Sequence, residues 1–418
     1  KMINEKNKDV MCAAPWSHLY IDTLGIVRPC STSSEIYGDT HNMTINEAWN
    51  SNATQAFRKN LLDGVKQDGC KFCYQQQQYT GNSLRTGLNS MYGHLVSENI
   101  TPELAVKSLH PGWSNLCNMA CIMCGSDYSS LWYVDEDKLG YDMTDKTKFL
   151  DITPEVEKDI IDSLITTSLD RVYFAGGEPL ITPYHYRVID KIISTGIAKD
   201  ISLRYSTNLS LLKYKSVDLT ERWSHFKTVE VSASIDMIGD HAEYHRYGTV
   251  WKKISKNLHT VRYDVPNVKL APTITVTALS IGYLPELLTY LIDELDFGKR
   301  NGDWIHSNLA MWPEQLNPHL LPKSIKEFYT SKLQSFLLHV DSNYSQEQTN
   351  LCTSVIVPCL DHMNEIDREK DFHTMTSYLE KLDKIRGHDW RSLWPEIASH
   401  APTNNLKIEL IDIGTTYE

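Results

Sequence analysis

Apolar and polar positions alternate along this chain with two different periods. Short β-rich runs near 104–109, 171–175, 201–206, 228–235, 270–277 and 304–309 are separated by stretches with helical spacing. In one of these, Thr153-Pro154-Glu155 supplies a helix start with proline in the first turn, and Ile160, Ile161, Leu164 and Ile165 follow as an apolar stripe. Repeated strand–helix alternation predicts right-handed crossovers and an α/β fold on a parallel sheet. From about residue 320 the pattern turns mainly helical, with a polar break over 341–348. Leu379, Leu382 and Ile385 then predict a helix ended by Gly387. Near the other end, the run from Leu19 to Cys30 reads as a hairpin, and Gln75 to Gln78 read as part of an exposed linking helix.

Composition narrows the function classes. A chain of 418 residues is long enough for roughly three domains and a sizeable core. The expected division is 1–100, 101–312 and 313–418. A net charge of −12 and the lack of a basic run argue against nucleic acid as a partner. Lys252, Lys253 and Lys256 read more simply as a solvated helix face. No apolar stretch is long enough to span a bilayer, and residues 1–10 are polar without a signal-peptide core, so the expectation is a cytoplasmic protein without membrane contact.

Nine cysteines in a reducing compartment favour metal over disulfide. Cys117, Cys121 and Cys124 stand in Asn115-Leu116-Cys117-Asn118-Met119-Ala120-Cys121-Ile122-Met123-Cys124-Gly125. Four-iron clusters are normally held by four thiolates, so three leave one iron open to a small ligand. A zinc knuckle would pair two C-x2-C units instead, and three unrelated buried thiols are the other alternative.

The spacing C-x3-C-x2-C followed by glycine resembles the radical SAM superfamily. Val172-Tyr173-Phe174-Ala175-Gly176-Gly177-Glu178-Pro179-Leu180 is similar to that family's GGEP element. The resemblance implies a [4Fe–4S] cluster on the three thiolates that binds S-adenosylmethionine (SAM), with Gly176, Gly177, Glu178 and Pro179 facing its amino group and Met123 beside the cluster. Two β-rich runs, 203–208 and 229–236, end in small polar residues where an open α/β sheet places ligands. By resemblance Ser206, Asn208 and Ser234 hydrogen-bond SAM, and Arg246 pairs with its carboxylate; turn formation and a surface arginine are the plain alternatives. The family fold implied is a partial (β/α)6 barrel.

A second set of thiols precedes the barrel: Cys12, twelve residues, Gly25, four residues, Cys30, then Cys70-Lys71-Phe72-Cys73. This resembles SPASM and twitch domains, which hold auxiliary iron–sulfur clusters, although in most of the family that extension follows the barrel. A zinc site closed by the same four thiolates is the competing reading. Cys352 and Cys359 remain, as apolar fillers, as ligands of a further cluster, or as a hydrogen donor.

The family implies cleavage of SAM to a 5′-deoxyadenosyl radical that abstracts hydrogen. An auxiliary [4Fe–4S] cluster adds oxidation, dehydrogenation or crosslinking, and thus an oxidoreductase served by an electron donor such as flavodoxin or ferredoxin. Asp236 is a candidate base by position, with a turn cap as its alternative. A peptide is one substrate class; with no leader-binding module evident before Cys12, a small metabolite is the other. An epimerase using a cysteine hydrogen donor and a non-catalytic electron-transfer protein are the remaining readings. The segment 126–151, aromatic and acidic, is expected either to cover the active site or to form a surface excursion.

Overall fold

The computed structural model describes residues 3–80, 83–112, 114–310 and 312–402. Residues 1–2, 81–82 and 403–418 of the expected N- and C-terminal units lie outside the described residues. The strands are β1 (His18–Ile21), β2 (Ile26–Arg28), β3 (Gly38–Asp39), β4 (Ser108–Pro111), β5 (Ala120–Cys121), β6 (Arg171–Phe174), β7 (Ser202–Thr207), β8 (Lys213–Tyr214), β9 (Val217–Asp218), β10 (Thr228–Ser234), β11 (Arg246–Tyr247), β12 (Val268–Val276) and β13 (His306–Leu309). Nine of them form one sheet in the order β13-β12-β10-β7-β6-β4-β1-β2-β3, parallel from β13 through β1 and antiparallel in the β1–β2–β3 meander.

All six expected strand runs are present. The first is displaced: it begins at Ser108 rather than 104, because pairing to β1 starts only where the Lys107 amide donates to the Ser17 carbonyl (2.8 Å). A seventh parallel strand, β1, comes from the N-terminal hairpin, so the sheet runs across the boundary expected near residue 100. Thr153 caps its helix by accepting from the Val156 amide, with Pro154 at the first position and Ile160 and Leu164 buried. Gly387, at φ 71°, ends the helix Phe372–Arg386. The polar break over 341–348 narrows to Tyr344 and Ser345, since Ser345 and Gln348 form a capping box that starts a new helix at once.

Alternation along the strands divides the sheet into two unlike faces. Leu203, Tyr205, Val229, Val231 and Ile274 are buried on one side. Ser202, Arg204, Ser206, Glu230 and Ser234 are half-buried on the other, where Arg204 pairs with Glu230 at 3.0 Å. Parallel sheets usually bury apolar residues on both faces, so a polar face marks a surface reserved for something other than core. One apolar core runs from Met11 to Ile397 and joins the N-terminal hairpin, the sheet and the C-terminal helices.

Candidate functional site

The site gathers at the carboxyl ends of the parallel strands. The loop after β4 carries Cys117, Cys121 and Cys124, and two backbone clamps hold it. On one side the Gly177 and Glu178 amides donate to the Ser114 and Leu116 carbonyls at 3.0 and 2.7 Å. A Cβ on Gly177 would stand 2.8 Å from the carbonyl carbons of Asn115 and Leu116. Gly176 sits at φ 123°, a region barred to other residues. The tandem glycines of this element thus serve close approach to the cysteine loop. On the other side, β11 pairs with β5 so that Arg246 lies opposite Cys121. Gly248, at φ 101°, lets the chain pass 2.7 Å from the Asn118 oxygen at the position a Cβ would take.

Further donors fix the loop's carbonyls. Trp132 Nε1 donates to the Cys121 oxygen (2.8 Å), Ser129 Oγ to that of Met119 (2.6 Å), and the Tyr378 hydroxyl to that of Ile122 (2.7 Å). Tyr378 arrives from the C-terminal helix, 256 residues along the chain. The segment 126–151 supplies the buried Trp132 and is tied down by Asn115. The Asn115 amide nitrogen donates to Ser126 and Lys148 carbonyls, and its oxygen accepts from the Leu150 amide. Tyr128 and Tyr141 in the same segment are exposed.

Burial pushes all three thiols up; Glu178 and the sister thiols add to this at Cys117, and Cys124 is pushed to about 12. Such a set ionises only against a strong positive charge, which a bound metal supplies. Arg246 Nη1 reaches Cys121 Sγ at 3.7 Å. Burial pushes Glu178 up to about 7, even though its carboxylate accepts from the Leu180 amide (2.9 Å), Thr207 Oγ1 (2.6 Å) and the Asn208 amide (2.7 Å).

Asp236 is the electrostatic counterpart. Burial alone would raise it, but the Arg246 guanidinium (2.7 Å and 2.9 Å) and His245 Nδ1 (3.0 Å) hold it at about 2. Its Oδ1 also accepts from the Thr275 amide at 2.7 Å, so both oxygens are engaged. Arg246 is therefore a half-buried, anchored group, its side chain 14% exposed, rather than a surface arginine. Asn208 bridges β7 to the loop, its amide donating to Asn118 Oδ1 (2.9 Å). Asn208, Ser234, Asp236 and Arg246 line one cleft together with Thr249 and Trp251. Pro179 is buried and Met123 half-buried. Ser206 stands apart on the polar sheet face, where its hydroxyl bonds that of Tyr173 (2.7 Å).

The four N-terminal thiols converge as well, since Cys12 lies in the field of Cys30, Cys70 and Cys73. Gly25, at φ 77°, closes the hairpin turn whose ends Asp22 fastens by accepting from the Leu24 and Ile26 amides (3.0 Å each). Thr32 Oγ1 approaches Cys30 Sγ (3.4 Å) and Cys73 Sγ (3.6 Å), and Ser33 Oγ approaches Cys70 Sγ (3.7 Å). Cys352 and Cys359 are fully buried in the helix Gln346–Glu365, and burial pushes both to about 12.

Several functional neighbours escaped the sequence reading. Thr207 and His245 adjoin residues that were singled out, and Asn118 lies inside the cysteine motif, so position offered a signal for each. The rings of Tyr20, His110 and Tyr173 meet in tilted contacts across three strands of the polar face, with centroids 4.5 Å apart in each pair. Neither they nor Tyr378 carried a local signal.

Residues 12–74 match the SPASM family, an iron-sulfur cluster-binding domain, and that span holds Cys12, Cys30, Cys70 and Cys73. No curated protein matches the chain. Among solved structures, native anSMEcpe with bound AdoMet is 16% identical, with a TM-score of 0.38 over 57% of this chain and 62% of that one. TYW1 with a lysine-pyruvate adduct bound is 16% identical, at 0.31 over 67% and 86%. Streptococcus suis SuiB bound to precursor peptide SuiA is 14% identical, at 0.36 over 68% and 63%. The chain spans less than two thirds of the length of anSMEcpe and of SuiB. The resemblance to a radical SAM protein with a SPASM-type domain stands on the match and on the two cysteine motifs, with that domain ahead of most of the sheet.

Proposed function

We propose that the chain is a radical SAM enzyme of oxidoreductase type, in which Cys117, Cys121 and Cys124 hold a SAM-binding [4Fe–4S] cluster and Cys12, Cys30, Cys70 and Cys73 hold an auxiliary one. The observation that carries this reading is the setting of Cys117: it lies in the field of both sister thiols and of Glu178, on a loop clamped from two sides. With SAM bound, the cluster supplies the electron for reductive cleavage to a radical that takes hydrogen from a substrate.

The chain's own residues do the positioning. Glu178 accepts from the ammonium of SAM, and a cation there offsets the burial that now raises its pKa. Asn208, Ser234 and Arg246 line the adjoining cleft as partners for the polar groups of SAM, and Met123, Pro179, Gly176 and Gly177 are assigned to the same cofactor by their place in the two motifs. Asp236 serves as a positioning group for Arg246 rather than as a base, because all its near neighbours are donors.

The match of residues 12–74 to an iron-sulfur cluster-binding domain supports iron–sulfur over zinc at the N-terminal thiol set.

The polar sheet face, with the Arg204–Glu230 pair and Ser206, suits a polar substrate, either a peptide or a small metabolite. Oxidation, dehydrogenation or crosslinking follows from the auxiliary cluster, with flavodoxin or ferredoxin as electron donor. An epimerase needs an accessible thiol, and the burial of Cys352 and Cys359 weighs against it. A mere electron carrier has no use for an amino-group clamp at Glu178. No helix of the described residues is long and apolar enough to cross a membrane, and a cytoplasmic setting is part of this reading. The division into 1–100, 101–312 and 313–418 belongs to it too.

The test is 5′-deoxyadenosine formation from SAM by the anaerobically reconstituted, reduced protein, with Cys117→Ala as control. Formation that disappears in the variant is expected. No formation from a fully loaded wild type, with candidate substrates present, would refute the reading.

A further inference from the structure

Among the described residues, one group of ligating side chains lies outside both thiol sites. His319 sits on the short turn Pro318–Leu320, and His362 and Glu365 lie one turn apart on the helix Gln346–Glu365. The two imidazole centroids are 4.2 Å apart, and one ligand atom from each of the three residues falls within 4.8 Å of the other two.

Both rings are buried, at 4% and 9% exposure, and Nε2 of each has no hydrogen-bond partner. A buried ring nitrogen without a partner is costly, and two side by side are more so. Burial lowers the proton affinity of both, which leaves them neutral near pH 7, the form that ligates metal. Glu365 is exposed and brings its Oε2 to 3.9 Å from His362 Nδ1, so it adds negative charge from the solvent side.

The neighbouring cations have acids or carbonyls of their own. Lys326 donates to the Ile366 carbonyl (3.0 Å) and faces Asp367 (3.9 Å), while Arg368 pairs with Asp371 (3.2 Å) and Glu314 (3.5 Å). His319 is held on both sides of its backbone: its amide donates to Asn317 Oδ1 (2.9 Å) and its carbonyl accepts from the Arg368 amide (3.1 Å).

We propose that His319, His362 and Glu365 form a binding site for a divalent transition-metal ion of zinc's class, with a fourth position open to water. Two imidazoles and a carboxylate suit a borderline cation of that kind. The ion joins the turn that follows the last strand to the second long helix of the C-terminal extension, and so clips that extension to the end of the sheet.

The experiment uses the full chain with both thiol sites loaded with iron and sulfide under anaerobic conditions, equilibrated against buffered Zn2+. Zinc per chain, zinc X-ray absorption and the melting temperature are read for wild type, His362→Gln and Glu365→Ala. Wild type should retain one further equivalent in a nitrogen–oxygen shell at about 2.0–2.1 Å, with a zinc-dependent rise in melting temperature. His362→Gln should lose it, and the exposed Glu365→Ala, which leaves the helix intact, should weaken it by about 10–100-fold. Equal zinc in wild type and both variants, or a sulfur shell at about 2.3 Å, would overturn the proposal. Zinc retention is read independently of deoxyadenosine formation, so it stands or falls apart from the catalytic reading.

Discussion

Replacing Gly177 by alanine tests whether the tandem glycines exist for the cysteine loop. The new Cβ would stand 2.8 Å from two backbone carbonyl carbons, those of Asn115 and Leu116. Ordinary carbon contacts lie near 3.5–4.0 Å, so the overlap is about 1 Å against backbone that has no rotamer to change. If the loop stays, overpacking costs about 1–3 kcal/mol. If it moves, the hydrogen bonds from Gly177 and Glu178 to Ser114 and Leu116 lengthen, and two bonds at about 1 kcal/mol each give a similar figure. A loss of about 2 kcal/mol, spread over an unfolding entropy of about 2.1 cal/mol/K per residue for 418 residues, moves the melting temperature by only about 2 °C. The local effect is larger, because Leu116 directly precedes Cys117. Iron and sulfide per chain after anaerobic reconstitution should fall at the three-thiol site and stay unchanged at the N-terminal four-thiol site. Gly87→Ala, on a helix with nothing within 4 Å of the new Cβ, is the control and should be neutral or stabilise by up to about 1 kcal/mol. A Gly177→Ala protein that loads both sites and melts with wild type would refute the steric account.

Asp236→Asn leaves the Arg246 guanidinium buried without its counter-charge, which should cost about 3–5 kcal/mol and remove deoxyadenosine formation together with substrate conversion. If only substrate conversion were lost, Asp236 would be the base after all. Tyr378→Phe removes the donor to the Ile122 carbonyl, so about 1 kcal/mol of stability and part of the iron at the three-thiol site should go, with no change at the N-terminal site; equal iron would sink this assignment. Burial holds His110 at about 3, so the unfolded chain takes up its proton first, and stability should fall as pH drops below about 6.5. From pH 7 to pH 5 that amounts to about 2 kcal/mol, read as a shift in urea midpoint. His110→Phe keeps a ring between Tyr20 and Tyr173 and should flatten this dependence; an unchanged slope would exclude His110 as its source.

The parts legible in the sequence are those whose signal is local. Strand runs at 171–175, 201–206 and 228–235 survive almost unchanged because their alternation is strict, as the burial pattern of β7 shows. Thr153-Pro154 and Gly387 mark helix ends through cap chemistry that acts within four residues. The N-terminal cysteine pair with Gly25 between them is legible for the same reason, since the glycine makes the turn that returns Cys30 toward Cys12. Periodicity also blurred β4, where the residues before Ser108 look β-rich but find no partner until Ser17 comes alongside.

What stayed illegible is decided by packing between distant segments. Tyr378 lies on a helix whose own pattern asks only for burial, and its hydroxyl matters because that helix ends up over the cysteine loop. Arg386 on the same helix reinforces the contact, pairing with Asp135 (2.9 Å) and lying 4.7 Å from the rings of both Trp132 and Tyr247. The C-terminal helices therefore close over the back of the loop, while the GGEP element and β11 close its sides. Three thiols with an open fourth position need such a frame: the fewer the metal–protein bonds, the more the backbone must hold the ligands in place without them. A motif of eight residues names the ligands; some 260 residues of fold, from Asn115 to Tyr378, hold them still.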